Sequence, residues 1–228
     1  MSDFNRISSG IKGLDNLIEG GIPEDFIVLV AGSSGTGKTT FLMQFLSEGV
    51  KKGEKCVYIG LGESTDIIKQ CMARYKMDLD KLAENDMLVF ADIPALSIDE
   101  IKIIIDKLGE DVKRVVIDPI SALLFTFDRD IDLRQSIREL VELIREKNVT
   151  ALVSTEVDEG SKKISRFGIE DFLADGIIVL YYITDQGRRY RGIEVRKMRG
   201  TYHSDKIHLY KLETEKGFTV FPNQKITQ

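Results

Sequence analysis

The chain has 228 residues, of which 43% are hydrophobic and 30% charged, so it is long enough for one substantial α/β domain and too short for two large ones. Its 32 basic and 37 acidic residues give a net charge of −5, which argues against a generally basic nucleic-acid-binding surface but leaves room for a local basic patch. The N-terminal residues lack the pattern of a signal peptide, and no apolar run approaches the ~20 residues needed to cross a bilayer, so we expect a cytoplasmic protein with no membrane contact.

Residues 1–25 are predicted to form a short lead-in segment. Ile11, Leu14, Leu17 and Ile18 share one helical face, which the Gly20-Gly21 pair ends. No residue type in this segment indicates chemistry. We expect it to pack beside the site that follows or against a neighbouring subunit.

A glycine-rich segment lies between a predicted strand and a predicted helix. Residues 26–31 form a continuous apolar run, as in a buried parallel strand. After the segment, Leu42, Phe45, Leu46 and Val50 recur at helical spacing, and the same pattern turns Gln44 outward. The order of strand, glycine-rich turn and helix is that of a Walker A loop, or P-loop. We assign this loop to Gly32, Ser33, Ser34, Gly35, Thr36, Gly37, Lys38, Thr39 and Thr40.

The residue types of the Walker A loop suit the binding of ATP or ADP. The start of a helix offers unpaired N–H groups and a positive dipole end to the polyphosphate. Glycines let the backbone curl so that successive N–H groups face one point. Lys38 is predicted to bridge the β- and γ-phosphates, and the Thr39 hydroxyl is predicted to hold Mg²⁺.

Glu63 follows the next predicted strand, residues 55–61. Ligands of parallel sheets gather at the carboxyl ends of the strands, so a carboxylate here could orient or deprotonate the water that attacks the γ-phosphate. The alternative is a glutamate favoured at the start of a helix, beside a Ser64 cap. Local sequence favours neither interpretation.

Two further strands end in acidic residues. The predicted strand 113–117, apolar from Val115 on, ends at Asp118, the form of a Walker B strand, whose carboxylate serves Mg²⁺, in most sites through water. Residues 149–155 form another buried strand, and Thr155 or Glu156 at its exit is either a γ-phosphate sensor or an ordinary polar strand end. Between them, residues 121–130 are predicted to be an extended connection before a periodic helix.

The C-terminal part is predicted to be an antiparallel β-meander with strands near 176–183, 188–198, 206–213 and 217–221. Strict alternation along the second of these strands places Ile193, Val195, Lys197 and Arg199 on one face. The two cations are either a solvated strand end or groups that reach an anion beyond their own fold, as arginine fingers do.

Together these residues resemble the RecA superfamily of P-loop ATPases, and within it the KaiC-like branch with its single-domain archaeal and bacterial relatives. The resemblance extends over nearly the whole chain, and its most specific part lies near the C-terminus. It rests on residues 6–11 and 13–15, Gly20-Gly21-Ile22-Pro23, the P-loop at 32–40, Glu63, Asp118, residues 166–172 and Lys197-Met198-Arg199-Gly200-Thr201-Tyr202-His203.

The resemblance implies an α/β fold with a RecA-like P-loop core, a mostly parallel central sheet flanked by helices, and a C-terminal antiparallel meander. The chain would be one ATPase domain, 1–228, with a lead-in at 1–25, a P-loop core at 26–175 and a β-rich part at 176–228. It also implies a homo-hexameric ring with ATP at each subunit boundary. One subunit would supply the P-loop, Glu63 and Asp118, and the next would supply Lys197, Arg199 and His203 in trans.

Two residues depart from the family's pattern: Asp25 stands where the family usually has a glycine before the P-loop strand, and Gly62 stands in a strand-end motif. Gly62 occupies the first position of this motif, which normally holds two glutamates, so we expect either that hydrolysis is slow or that Glu63 carries the base role unaided. Clock-type KaiC proteins have two tandem ATPase domains and an autophosphorylation site. With one domain, this chain gives no support for protein kinase activity.

The main functional hypothesis is an ATPase ring that switches an unidentified protein partner. A second is a recombination or repair paralogue that binds DNA through residues 123–134 and 157–170, where Lys162, Lys163 and Arg166 would supply positive charge. Acidic neighbours in the same segments make nucleic acid the less favoured partner. A third is a nucleotide-sensing scaffold with negligible turnover.

Overall fold

A computed structural model describes residues 4–159, 173–185 and 187–226. The lead-in forms a small antiparallel sheet from β1 (Arg6–Ile7) and β2 (Ile22–Pro23), with a 3₁₀ helix at Asp15–Leu17 between them. The predicted apolar face is real, because Ile11, Leu14, Leu17 and Ile18 are all buried.

Within these ranges, nine strands form one large sheet. They are β3 (Ile27–Gly32), β4 (Lys55–Gly60), β5 (Leu88–Asp92), β6 (Val112–Asp118), β7 (Thr150–Glu156), β8 (Gly176–Asp185), β9 (Arg188–Met198), β10 (Ile207–Glu213) and β11 (Gly217–Ile226). Their order is β11-β10-β9-β8-β3-β7-β6-β4-β5. The strands from β8 to β5 in this order pair in parallel, and β8 to β11 are antiparallel neighbours. The predicted fold class is confirmed, and the meander continues the central sheet because β8 lies directly beside β3.

Helices cover both faces of the sheet. They are α1 (Lys38–Lys51), α2 (Thr65–Ala73), α3 (Leu79–Leu82), α4 (Ile98–Asp106) and α5 (Asp130–Glu146), with 3₁₀ helices at Glu84–Asp86 and Ile120–Thr126. Along β3, Val28 and Val30 pack in the cluster with α1, whereas Ile27 and Leu29 pack in the cluster with α4 and α5. Burial on both faces explains why this strand is apolar at every position from 27 to 31. Among the described residues, no helix is both long and apolar enough to cross a bilayer.

Two local predictions were wrong. Residues Ile120–Thr126 form a 3₁₀ helix instead of an extended connection, because Ile120 and Leu123 turn back into the cluster beneath α5. Gln44 does not face solvent. Its amide bonds to the carbonyls of Gly10 and Phe218 and accepts the Phe218 N–H, so it joins α1 to the lead-in and to β11.

A β-bulge changes the faces of the basic strand. Ile177 pairs with Lys197 and Ile178 pairs with Val195, so Arg196 is an extra residue in β9. Directly opposed residues share a face, and Ile177 and Ile178 pack on opposite sides of the sheet. Lys197 therefore lies on the face opposite to Val195, and the prediction of one shared face was wrong.

Candidate functional site

The Walker A loop joins the end of β3 to the start of α1, as predicted. Gly37 is the N-cap of α1 and has a φ of +92°, a backbone conformation that favours glycine. A Cβ on Gly37 would lie 2.8 Å from the Leu212 side chain. A Cβ on Gly32 would lie 2.9 Å from the carbonyl oxygen of Leu180 on β8. Both positions are therefore restricted by close packing against the C-terminal strands.

Lys38 is folded back onto the loop from which it projects. Its side chain is 7% exposed, and its Nζ donates to the carbonyls of Gly32 at 3.0 Å and Ser33 at 3.2 Å. The Glu156 carboxylate lies 3.5 Å from the same Nζ. The ammonium is thus held at the loop, and a polyphosphate would have to take over hydrogen bonds that it now gives to the loop carbonyls.

A cleft of about 280 Å³ opens above the loop. Its walls combine backbone N–H groups at the start of α1, one lysine and three carboxylates, which is a composition suited to a polyphosphate with a divalent cation. The lining residues are Ser34, Gly35, Gly37, Lys38, Thr39, Thr40, Glu63, Asp118, Pro119 and Glu156.

Asp118 lies at the base of this cleft and is 4% exposed. Its carboxylate accepts hydrogen bonds from the hydroxyls of Thr39 at 2.8 Å, Tyr58 at 3.1 Å and Ser154. Burial, followed by the negative charge of Asp118, raises the pKa of Tyr58 above its usual range, so that phenol keeps its proton and donates. In the described part of the chain, no lysine or arginine forms an ion pair with Asp118.

The Thr39 and Asp118 pair fits Mg²⁺. A hydroxyl and a carboxylate oxygen lie within hydrogen-bond distance of each other at the cleft, and both are the hard oxygen donors that Mg²⁺ prefers. The buried carboxylate has neutral hydroxyl partners, so a cation here would supply the missing opposite charge. Tyr58 and Ser154 orient that carboxylate, and the sequence reasoning missed both. The only indication of them in the sequence was a hydroxyl-bearing residue among the apolar residues of a predicted strand.

Glu63 lies on the cleft wall in the turn after β4. Ser64 is the N-cap of α2 and accepts the Asp66 N–H at 3.3 Å, so Glu63 also stands at the start of a helix. Both interpretations of this residue match its position, and its role as a base stays a prediction. Glu156 reaches the cleft as well, whereas Thr155 is buried and does not line it.

Two tyrosines of the C-terminal strands support the Walker A loop from the side. The Tyr182 hydroxyl on β8 donates to the Gly35 carbonyl at 3.0 Å, and the Tyr210 hydroxyl on β10 donates to the Thr36 carbonyl at 2.6 Å. Burial raises the pKa of Tyr210, which keeps its hydroxyl protonated. The sequence could not reveal these contacts, because they depend on β8 pairing with β3 and on β10 lying two strands beyond β8 in the same sheet.

Lys197, Arg199 and His203 lie away from this cleft. Met198 pairs with Gly176, which pairs with Val28, four residues before Gly32. At ~3.3 Å per residue, this is about 13 Å along the strand direction from the loop, and two strand spacings add about 10 Å sideways. None of the three residues lines the cleft of its own chain. Lys197 Nζ donates to the Ala174 carbonyl at 2.7 Å, and His203 Nδ1 lies 3.3 Å from the Ser204 carbonyl.

Asp175, which the sequence reasoning did not single out, holds Arg199. This carboxylate accepts from Arg199 NH1 at 2.8 Å and from Arg145 NH2 at 2.9 Å through the same oxygen, Oδ1. Its other oxygen accepts the Ile27 N–H at 3.1 Å. The residue precedes β8, and nothing in its local sequence indicates these partners.

Comparison with known proteins agrees with the geometry of the loop and the sheet. The UPF0273 protein PH0284 of Pyrococcus horikoshii is 32% identical, over 96% of this chain and 95% of its own length. The KaiC-like protein PH0186 of the same organism has a crystal structure that superposes with a TM-score of 0.89 at 34% identity, covering 96% of this chain and all of that one.

Cyanobacterial clock proteins match as well. The circadian clock protein KaiC3 of a Synechocystis strain is 28% identical over 96% of this chain and 46% of its own length. The chain therefore spans slightly less than half the length of these relatives. The profile of the KaiC ATPase family matches residues 7–225, and the chain belongs to that family.

Proposed function

We propose that this protein hydrolyses ATP at the boundaries between subunits of a hexameric ring and acts as a nucleotide-dependent switch for a protein partner. Family membership supports ATP hydrolysis in general terms. The ring, the slow rate and the switch are the finer parts of the proposal. The observation that supports the ring is the separation between the cleft and the Lys197–Arg199 strand end of one chain, about 13 Å along the strands and about 10 Å across them.

In this mechanism one chain supplies the polyphosphate site. The N–H groups at the start of α1 and the Lys38 ammonium bind the phosphates, and Thr39 and Asp118 hold Mg²⁺, the latter through water. Mg²⁺ neutralises charge on the phosphate oxygens when bound. Glu63 accepts a proton from the attacking water. With Gly62 beside it, no second glutamate shares that task, which is the basis for expecting slow turnover.

The neighbouring chain completes the site. Lys197, Arg199 and His203 are proposed to contact the γ-phosphate in trans, where the positive charge of Arg199 stabilises the transition state. Arg199 suits this role because its side chain is 53% exposed although its guanidinium is held by Asp175. Hydrolysis then depends on assembly, so the nucleotide state and the subunit contacts bias each other.

Mixing two inactive variants tests the trans arrangement. We expect Lys38→Ala to lose nucleotide binding and Arg199→Ala to bind ADP normally but to hydrolyse ATP at least about tenfold more slowly. Co-assembled rings of the two regain phosphate release, because some sites combine an intact cleft with an intact Arg199. Normal hydrolysis by Arg199→Ala alone would refute the trans role. Light scattering with and without ATP and Mg²⁺ measures the assembly, and a particle of one chain under saturating nucleotide would refute the ring.

The alternatives predict different outcomes. In the 123–134 segment, Arg129 is already paired with Asp132 through two hydrogen bonds, at 2.6 and 2.7 Å, which leaves little free positive charge for DNA. The DNA-binding hypothesis requires an affinity that falls steeply with salt. Its second segment, 157–170, lies largely outside the described residues. A scaffold without turnover predicts no phosphate release from the wild type. A cytoplasmic location also stays a prediction.

A further inference from the structure

Asp175 joins three parts of the protein at the start of β8. Its Oδ2 accepts the N–H of Ile27, the first residue of β3, and its Oδ1 accepts from Arg145 on α5 and from Arg199 after β9. Its main-chain carbonyl accepts the Arg199 N–H at 3.0 Å. Arg199 is therefore attached to Asp175 by both its backbone and its side chain.

The two members of this ion pair differ in exposure. The Asp175 side chain is 5% exposed, whereas that of Arg199 is 53% exposed. The carboxylate is fixed by the Ile27 N–H, whereas an arginine side chain without such a partner would lose rotamer entropy on being ordered. A charge-assisted hydrogen bond to a fixed carboxylate removes part of that freedom in advance.

The charges leave the cluster able to attract an anion. Arg145 and Arg199 contribute two positive charges and Asp175 one negative charge, so the three groups carry a net charge of +1. Without Arg145, the carboxylate would cancel the charge of Arg199. The cluster therefore orients one guanidinium and remains positive.

We propose that Asp175 is the positioning residue for Arg199, and that it fixes the guanidinium in the direction needed to meet a phosphate group of the nucleotide bound by the next subunit. This inference rests on the proposed function, because Arg199 must act in trans for its orientation to matter. The competing view is that Asp175 only fastens β8 to β3.

A double-mutant cycle on turnover separates the two views. The four proteins are the wild type, Asp175→Asn, Arg199→Ala and the double variant, each assayed for phosphate release at saturating ATP and for ADP affinity. Asparagine has nearly the shape of aspartate but lacks the charge, and it cannot accept both the arginines and the Ile27 N–H with two oxygens.

If Asp175 acts through Arg199, Asp175→Asn lowers kcat at least about threefold and leaves ADP affinity within about twofold. The double variant is then no slower than Arg199→Ala, because the orientation of a missing side chain has no effect. Independent losses that multiply would overturn the inference while leaving the trans role of Arg199 intact. Wild-type turnover by Arg199→Ala would instead overturn the proposed function, and this inference with it.

Arg145→Gln provides a second cycle if Asp175→Asn does not fold. Arg145 is 41% exposed and shares the same carboxylate oxygen, so its removal should be tolerated by the fold. We expect a smaller loss of kcat, at least about twofold, that disappears in the Arg199→Ala background. No loss, or an undiminished loss in that background, contradicts the proposal.

Discussion

Replacing Lys38 by alanine is expected to abolish nucleotide binding at ordinary concentrations. The lysine Nζ makes two hydrogen bonds to loop carbonyls, and these are the donors it would give to the phosphates. A hydrogen bond to a charged group contributes about 1.5–3 kcal/mol, so two contribute about 3–6 kcal/mol. That free energy corresponds to a loss of affinity of roughly 10² to 10⁴.

The assay is titration calorimetry with ADP and Mg²⁺, with thermal unfolding as a check on the fold. Lys51→Ala is the matched control, because Lys51 is an exposed lysine at the other end of α1, about 20 Å away at 1.5 Å per residue. It should bind ADP with wild-type affinity. A folded Lys38→Ala protein that binds ADP within about threefold of the wild type would show that the assigned loop is not the polyphosphate site.

Three further outcomes are expected. Glu63→Gln retains ADP binding but lowers phosphate release about 10²-fold or more, because general-base catalysis contributes that much. Leu140→Ala destabilises the protein by about 2–5 kcal/mol, because Leu140 lies on the fully buried face of α5, and it lowers Tm by about 2–4 °C for each kcal/mol. Burial lowers the pKa of His208 below its usual value, although a hydrogen bond with the Pro222 backbone acts in the opposite direction. Since the unfolded histidine binds protons more readily, stability is fully present above about pH 6.5 and falls as the pH drops below it, a dependence that His208→Gln should flatten.

Each of these outcomes has a control and a contradicting result. Wild-type turnover by Glu63→Gln would leave that residue as a helix-start glutamate. Glu142→Ala, on the exposed side of α5, should change stability by less than about 1 kcal/mol, and an equal effect of Leu140→Ala would contradict the packing. For His208, urea midpoints at about pH 7.5 and about pH 5.5 give the measurement. An unchanged pH dependence in His208→Gln would assign it to other groups.

The central strands and the Walker A loop were predictable because their physical causes are local. Parallel strands buried on both faces need continuous apolar runs, and a phosphate loop needs glycines before a lysine. Asp118 and Glu63 were placed at the cleft by one rule, that the carboxyl ends of neighbouring parallel strands meet at one edge.

The remaining features depend on which strands become neighbours. The bulge at Arg196 cannot be inferred without the register between β8 and β9, and it reversed the predicted face of Lys197. The bonds from Tyr182 and Tyr210 to the loop require β8 to pair with β3 and β10 to lie two strands beyond β8. Asp175 acquires its partners from three elements distant in sequence, so no local pattern reveals it.

Asp175 is hydrogen-bonded to Ile27, the first residue of β3, and this contact lets the strand connect Asp175 to the phosphate loop at its other end. Gly32, which opens the phosphate loop, lies five residues after Ile27, about 17 Å along the extended backbone. A strand hydrogen-bonded on both sides behaves as a stiff rod, so a shift of the loop on losing a phosphate would push or pull the opposite tip. In the proposed ring, each chain would connect its own nucleotide site, through β3, Asp175 and Arg199, to the nucleotide bound by its neighbour. Hydrolysis at one site could then influence the next site without a hinge.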